Sequence, residues 1–221
     1  MDCGKPEKPR FDAVVLDIDG TLWDSRASVA EAWREVVAEA RPGVPPPSMQ
    51  ALTSFFGKTL DENADGLFPE FPPQERLRWM RRCIDAEHAH LAVRPGVPYP
   101  GVRETCEALA RRVPLLIASN CEKGYPAIAA AGCGITEFVR DSLCFGETGT
   151  PKSETIRAVC ARNGVSAPVY VGDTAMDEEA CRAAGVPFIH AAYGFGSASA
   201  PMASIRSFAE LPAVLGLAPE S

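Results

Sequence analysis

The sequence predicts an α/β protein in which a doubly wound, mostly parallel sheet carries an inserted, all-helical segment. Three observations predict it. After residue 94, short apolar runs alternate with helical patterns, which is the rhythm of βαβ units. One further apolar run, "FDAVVLD" at 11–17, stands alone far upstream. Between the two regions, residues 24–93 show helical periodicity only, interrupted by "RPGVPPPS" at 41–48 and closed by "VRPGVPYPG" at 93–101.

The elements follow in order. "FDAVVLD" is β-branched and apolar in its middle and reads as a buried strand. Residues 25–40 place Val29, Trp33, Val36, Val37 and Ala40 on one helix face, with Ser25 or Ser28 as the cap. Helical segments are expected at 49–56, 60–67 and 73–92, the last with Leu77, Met80, Ile84, His88 and Leu91 on one face. Strands are expected at 113–119, 168–172 and 187–191, with a weaker one at 142–145. Helices at 102–112, 123–132, 152–163 and 176–184 lie between them. The expected organisation is an α/β core of residues 8–23 and 94–215, a helical unit at 24–93, and flexible termini at 1–7 and 216–221.

A chain of 221 residues suits one large domain, or one domain with an insert. The formal net charge of −7 argues against a nucleic-acid groove and an anionic membrane surface, but leaves a small anionic substrate open. Eight cysteines are scattered singly, without C-x-x-C spacing, and read as buried thiols in a reducing compartment. "MDCGKPEKPR" has no apolar h-region, and no apolar run reaches bilayer length. The expectation is a cytoplasmic protein, monomer or homodimer, whose partner is a small molecule.

Ligands of such sheets bind beyond the carboxyl ends of the strands. Asp17 and Asp19 end the first strand, Ser119 and Asn120 the second, and Asp173 the third, with Asp177 four positions on. Lys152 opens the helix before that third strand. Clustered carboxylates repel unless a cation neutralises them, and hard oxygen ligands select Mg²⁺. A hydroxyl, backbone N–H groups and an ammonium would complete a phosphate cradle. One carboxylate can then attack phosphorus, and a second can protonate the leaving oxygen and later activate water.

"DIDGTL" at 17–22, "IASN" at 117–120, Lys152 and "VGDTAMD" at 171–177 resemble, in order and spacing, the four motifs of the haloacid dehalogenase-like hydrolases. The resemblance covers about residues 8–22 and 94–215, and the insert is similar to the helical cap of the phosphoglycolate phosphatase and β-phosphoglucomutase type. It implies a Rossmann-like core under a cap domain. By position, it implies that Asp17 is the nucleophile, that Asp19 is the general acid and base with its backbone carbonyl on Mg²⁺, and that Ser119, with Asn120 beside it, holds the phosphoryl group. Lys152 would neutralise nucleophile and phosphate, Asp173 would ligate Mg²⁺, and Asp177 would position or support the metal. The family's lysine commonly sits in a "KP" pair, whereas here the order is "TPKSE". Lys152 is nonetheless the only lysine between Lys123 and the C-terminus. In similar caps a glycine-containing loop descends over the site; here that is "FFGKTLDE" at 55–62, with Lys58 as a candidate contact for a substrate anion. The implied function is Mg²⁺-dependent hydrolysis of a small phosphorylated metabolite through an aspartyl phosphate. The alternatives are a phosphomutase of the β-phosphoglucomutase type and a non-catalytic binding module on the same fold.

Plainer readings hold elsewhere. Were "DIDG" an EF-hand loop with Gly20 at position six, Val15 and Arg26 would occupy the first and last ligand positions, and neither ligates calcium. His88 and His90 are two apart and cannot share a helix face. His190 reads as a packed histidine, Cys121 as a structural thiol, and "GFGSAS" at 194–199 as no dinucleotide loop. Trp23 fits the mouth of the site and the hinge of the cap equally well.

Overall fold

The computed structural model describes residues 10–217, so the expected N-terminal arm at 1–7 and the last four residues lie outside the described part. Six strands form the main sheet: β1 (Ala13–Leu16), β4 (Leu115–Ser119), β5 (Val139–Cys144), β6 (Pro168–Gly172), β7 (Phe188–Ala191) and β8 (Ala203–Ile205). Their order is β5-β4-β1-β6-β7-β8, and every pairing is parallel. The chain winds outward from β1 to β4 and β5, then returns to β6 on the other side of β1. The doubly wound architecture expected from the sequence is therefore present, with its switch point between β1 and β6.

The central strands are apolar runs because helices cover both faces of the sheet. β1 shows the consequence of a two-residue side-chain period. Val14 and Leu16 join one core with Val102, Cys106 and Leu109 of α5 (Val102–Ala110). Ala13 and Val15 join a second core with Ile156 and Val159 of α8 (Lys152–Arg162) and Cys181 of α9 (Ala175–Ala184). A further helix, α6 (Tyr125–Gly132), lies on the α5 side and buries Tyr125 and Ala129 in the first core.

Four helices stand between β1 and the rest of the sheet: α1 (Arg26–Ala40), α2 (Met49–Thr53), α3 (Leu60–Leu67) and α4 (Pro73–Val93). The long helices α1 and α4 pack along each other, and α3 lies against α4. α1 buries the expected face, including Val29, Trp33, Val36 and Val37. α3 begins with a capping box in which the Thr59 side chain accepts from the Glu62 N–H and Glu62 accepts from the Thr59 N–H.

The two chain crossings between sheet and helices are themselves paired. β2 (Trp23–Asp24) and β3 (Val97–Pro98) form an antiparallel ribbon, with Trp23 opposite Pro98. Trp23 is fully buried. A Cβ at Gly96 would stand 2.8 Å from its indole, and one at Gly132 2.6 Å, so both glycines make room for the ring. Two-residue strands in a proline-rich stretch carry no periodicity, which is why this ribbon is not legible in the sequence.

Other differences have local causes. The expected helix 49–56 stops at Thr53, and the chain turns through Gly57 at φ +81°. Ser25 stands at the N-cap of α1 but makes no capping bond; its hydroxyl is turned to Asp19. The weak strand expected at 142–145 is the edge strand β5, three residues longer at its start. β8 was not expected. Residues 216–217, expected in a flexible tail, are packed: Leu217 is buried and its N–H donates to the Pro212 carbonyl at 2.7 Å.

Candidate active site

The carboxyl ends of β1, β4 and β6 open into a cavity of about 910 Å³. On the sheet side it is lined by Asp17, Asp19, Ser119, Lys152, Asp173 and Asp177. Each is placed by a short stretch of backbone. Asp17 follows β1 directly, and its N–H donates to the Val171 carbonyl of β6 at 2.9 Å. Ser119 is the last residue of β4, and Asp173 follows the last residue of β6. Lys152 opens α8 after Pro151, at the position where a proline-preceded helix starts. Gly20, at φ +81°, turns the chain after β1 so tightly that a side chain there would fall on the Asp173 carboxylate.

The Lys152 ammonium lies between two acids. Its Nζ donates to Asp17 Oδ1 at 2.8 Å and also to Asp177 Oδ1. The other oxygen of Asp177 accepts from the Thr174 N–H at 2.9 Å and hydroxyl at 2.6 Å, which caps α9. Lys152 is 7 % exposed. Burial alone would lower its pKa, but the charges of Asp17 and Asp177 outweigh burial and raise it, so the ammonium stays charged. Burial pushes Asp177 upward, but Lys152 and the Thr174 bonds reverse this and hold it below the ordinary range.

Asp17 and Asp173 are less well compensated. Burial raises Asp17; the Lys152 charge opposes this and the Asp177 charge adds to it. Asp173 is fully buried and pushed up to about 8, by burial first and then by the charges of Asp17 and Asp177. Its Oδ2 accepts from the Phe195 N–H at 2.7 Å, while its Oδ1 is buried without a partner among the described residues. Oxygens of Asp17, Asp173 and Asp177 lie within 4.8 Å of one another. A bare carboxylate oxygen inside an acidic, all-oxygen donor set fits a hard divalent cation.

Asp19 has a different environment. Its Oδ1 accepts from Ser25 Oγ at 2.5 Å, Tyr125 OH at 2.7 Å and Trp23 Nε1 at 3.0 Å. Burial pushes its pKa up to about 6 against the pull of those bonds. That value suits a group that gives and takes a proton near neutrality.

The helical insert closes the other side. Asn120, expected beside the phosphate, lines the cavity and donates its amide Nδ2 to the Gly57 carbonyl at 2.8 Å, which ties the β4 end to the insert's turn. Phe56 meets Phe195 edge-on at 5.9 Å. The Lys58 ammonium lies 5.3 Å from the centre of the Phe55 ring and lines the cavity without contacting the carboxylate cluster through a hydrogen bond.

Several residues here carried no legible signal as site components. Tyr125 and Ser25 stand in helical patterns of the sequence, and Phe195 lies in a loop whose glycines match no dinucleotide motif. That loop has its own reason for glycine: a side chain at Gly194 would meet Asp173 and the Gly20 carbonyl. Glu87 of α4, buried and accepting from Trp33 Nε1 at 2.7 Å, also lines the cavity. Trp23 is fully buried and does not line the cavity; it packs the ribbon at the hinge and donates to Asp19. His190 is packed, its Nε2 3.2 Å from the Asp173 carbonyl. Cys121 is half-buried and lines the cavity, and desolvation pushes its thiol well above the ordinary range.

Comparison with known proteins gives a consistent result. The model of the haloacid dehalogenase-like hydrolases matches residues 11–185. A phosphoglycolate phosphatase of Cupriavidus necator is 28% identical, with 92% of each chain covered. The phosphoglycolate phosphatase of Chromobacterium violaceum is 31% identical over 90% of this chain and 94% of its own. Among solved structures, a haloacid dehalogenase-like family protein of Streptococcus pneumoniae superposes with a TM-score of 0.79 at 19% identity, covering 93% of this chain and 98% of that one, a likeness of fold.

Proposed function

The chain belongs to the haloacid dehalogenase-like hydrolases and is a phosphatase, and from that premise we propose that it uses Mg²⁺ to hydrolyse a small phosphorylated metabolite through an aspartyl phosphate on Asp17. We take residues 24–93 as its cap domain, residues 8–23 and 94–215 as its core, and the cytoplasm as its place of work.

The observation that carries this reading is the contrast between two carboxylates two residues apart. Asp17 is paired with Lys152 and sits in the acid cluster; Asp19 has no cation beside it and one oxygen fixed by three donors. Lys152 opposes the effect of burial on Asp17 and holds its oxygen for attack, while Asp19 is arranged to carry a proton. In the first step an Asp17 oxygen bonds to phosphorus as the phosphorus–alkoxide bond breaks, and Asp19 gives its proton to the departing oxygen. In the second, Asp19 takes a proton from water, the water oxygen bonds to phosphorus, and the Asp17–phosphorus bond breaks. Lys152 holds Asp17 in place and offsets the charge of the phosphoryl group. Ser119, at the end of β4, reaches a phosphoryl oxygen with its hydroxyl. Asp17 and Asp173, with the Asp19 backbone carbonyl, would hold Mg²⁺, whose charge neutralises the phosphoryl oxygens. Asp177 supports the site through Lys152, since both its oxygens already have partners.

The test is phosphate release from an aryl phosphate, and from phosphoglycolate as the substrate named for the curated relatives. EDTA should abolish turnover and Mg²⁺ restore it, while calcium, with its longer and looser coordination, should substitute poorly. Mass spectrometry of acid-quenched protein should find the phosphoryl adduct on Asp17. Full activity in EDTA, or an adduct elsewhere, would overturn the reading.

A further inference from the structure

The cap wall of the cavity is mostly apolar, built from side chains such as Val29, Phe55, Leu60 and Ile84. Two polar side chains interrupt it, Glu87 on α4 and Asn63 on α3. Both are more than nine-tenths buried, Glu87 at 6 % exposure and Asn63 at 7 %. Neither has what burial demands. Among the described residues, no lysine, arginine or histidine forms an ion pair with Glu87, whose only side-chain bond is the one its Oε2 accepts from Trp33. The Asn63 Oδ1 is buried with no donor among the described residues.

The three cations that line the cavity are engaged elsewhere, Lys152 between Asp17 and Asp177. Arg26 is paired with Asp24 at 2.6 Å and lies over the Phe195 ring. Lys58 lies over Phe55. A buried carboxylate costs several kcal/mol unless it is paired or protonated, and an amide oxygen without a donor adds its own desolvation cost. Burial, with the Asp19 charge behind it, pushes Glu87 up to about 8, which is the signature of a carboxylate still lacking its cation. Glu87 would be satisfied by a partner that brings hydrogen atoms and positive charge from the cavity side.

We propose that Glu87 and Asn63 form the subsite for the alcohol half of the substrate, and that this alcohol carries an ammonium group. The proposal rests on the phosphatase reading above and narrows it to phosphate esters of amino alcohols. The ammonium donates to the Glu87 carboxylate, with the Trp33 and Phe55 rings as apolar walls and Asn63 lining the same cavity. A carboxylate in the same place, as in phosphoglycolate, faces Glu87 with like charge and with no cation of the chain committed to it.

Three matched series of substrates test it: ω-aminoalkyl, ω-hydroxyalkyl and ω-carboxyalkyl phosphates with two to four carbons. They differ at one terminal group and share the phosphate ester. For the wild-type protein with Mg²⁺, kcat/KM should favour the amino member over the hydroxy member of the best chain length by about tenfold or more, the scale of one charge-assisted hydrogen bond. The carboxy member should rank last. In Glu87→Gln the amino-to-hydroxy ratio should collapse toward one, and Asn63→Leu should lower it less. Calorimetric binding of the three series to Asp17→Asn gives the same ranking without turnover. A carboxy or hydroxy preference in the wild-type protein, or an amino preference that survives Glu87→Gln, overturns the ammonium subsite while leaving Mg²⁺-dependent aryl phosphate hydrolysis, and so the phosphatase reading, intact. Loss of turnover on every substrate strikes that reading instead, and the binding series then decides the subsite.

Discussion

The Tyr125 hydroxyl donates to Asp19 Oδ1 at 2.7 Å, joining a helix that follows β4 to the turn that follows β1 across 106 residues of sequence. Tyr125 is buried, and its ring meets Trp23 edge-on at 6.0 Å. Its hydroxyl also reaches Ser25 Oγ at 3.1 Å. Three donors on one carboxylate oxygen fix the side chain in one rotamer. The proton of the acid form then belongs on the other oxygen, so the clamp decides which atom delivers it.

Tyr125→Phe should therefore impair proton delivery more than binding. We expect kcat to fall about tenfold on an alkyl phosphate, with KM changed less, and a smaller loss on an aryl phosphate whose leaving group needs little protonation. A hydrogen bond to the ionised form lowers a carboxylate's pKa, so its removal raises that of Asp19 above about 6. The acidic limb of the pH–rate profile, where Asp19 must be ionised to act as base, should move to higher pH. A pH–rate profile that stays in place, or equal losses on both substrates, would count against the clamp.

The two acids of "DIDGT" should separate cleanly on substitution. Asp17→Asn removes the attacking oxygen, so acid-quenched protein should show no phosphoryl adduct. Asp19→Asn leaves the backbone carbonyl where it was and removes only the acid and base, a loss of about 10²–10⁴-fold. The adduct should then accumulate with an aryl phosphate, because its formation needs little acid while its hydrolysis needs a base. Robust alkyl phosphate turnover by Asp19→Asn would reverse the assignment.

The contact between Asn120 and Gly57 predicts a third outcome. That single hydrogen bond ties the end of β4 to the turn of the insert. Removing it with Asn120→Ala should cost about 0.5–1.5 kcal/mol of closure. We expect KM for a metabolite-sized substrate to rise several-fold while the aryl phosphate adduct still forms. Loss of adduct formation itself would place Asn120 on the phosphoryl group, where the sequence reading had put it.

The strand ends were legible because the physics there is local. A short apolar run that stops on a polar residue marks a strand, its end and its chemistry within a few residues, and Asp17, Ser119 and Asp173 all close such runs. Contacts made across the fold were not. Tyr125 and Phe195 touch Asp19 and Asp173 only because β4 and β7 bring their loops to the same edge. Glu87 shows a subtler limit. The sequence of α4 shows the helical period, but the buried stripe is Met80, Cys83, Glu87 and Leu91 rather than the neighbouring stripe through Ile84 and His88. The two stripes share Met80 and Leu91, and an acid on one of them reads as the solvated side unless a cavity is known to face it.

That buried acid yields the last prediction. Glu87 is held at about 8 in the folded protein, against an ordinary value of 4.5 once unfolded. Between those values the folded state keeps a proton that the unfolded state has released. A group raised in this way contributes stability that is fully present below about 4.5 and is lost as pH rises through about 8. Glu87→Gln keeps an acceptor for the Trp33 N–H but cannot titrate. The melting temperature of Glu87→Gln relative to the wild-type protein should therefore climb between pH 5 and pH 8, on the order of a few degrees, and level off above. Asp19 and Asp173 are also raised and give slopes of the same sign, but they are common to both proteins and cancel in the difference. An aminoalkyl phosphate bound beside Glu87 should flatten that difference, because its ammonium stabilises the ionised carboxylate in the folded state. A difference that stays constant from pH 5 to pH 8 would mean that Glu87 is already ionised in the folded protein, and the case for an unpaired acid in the cap wall would fall with it.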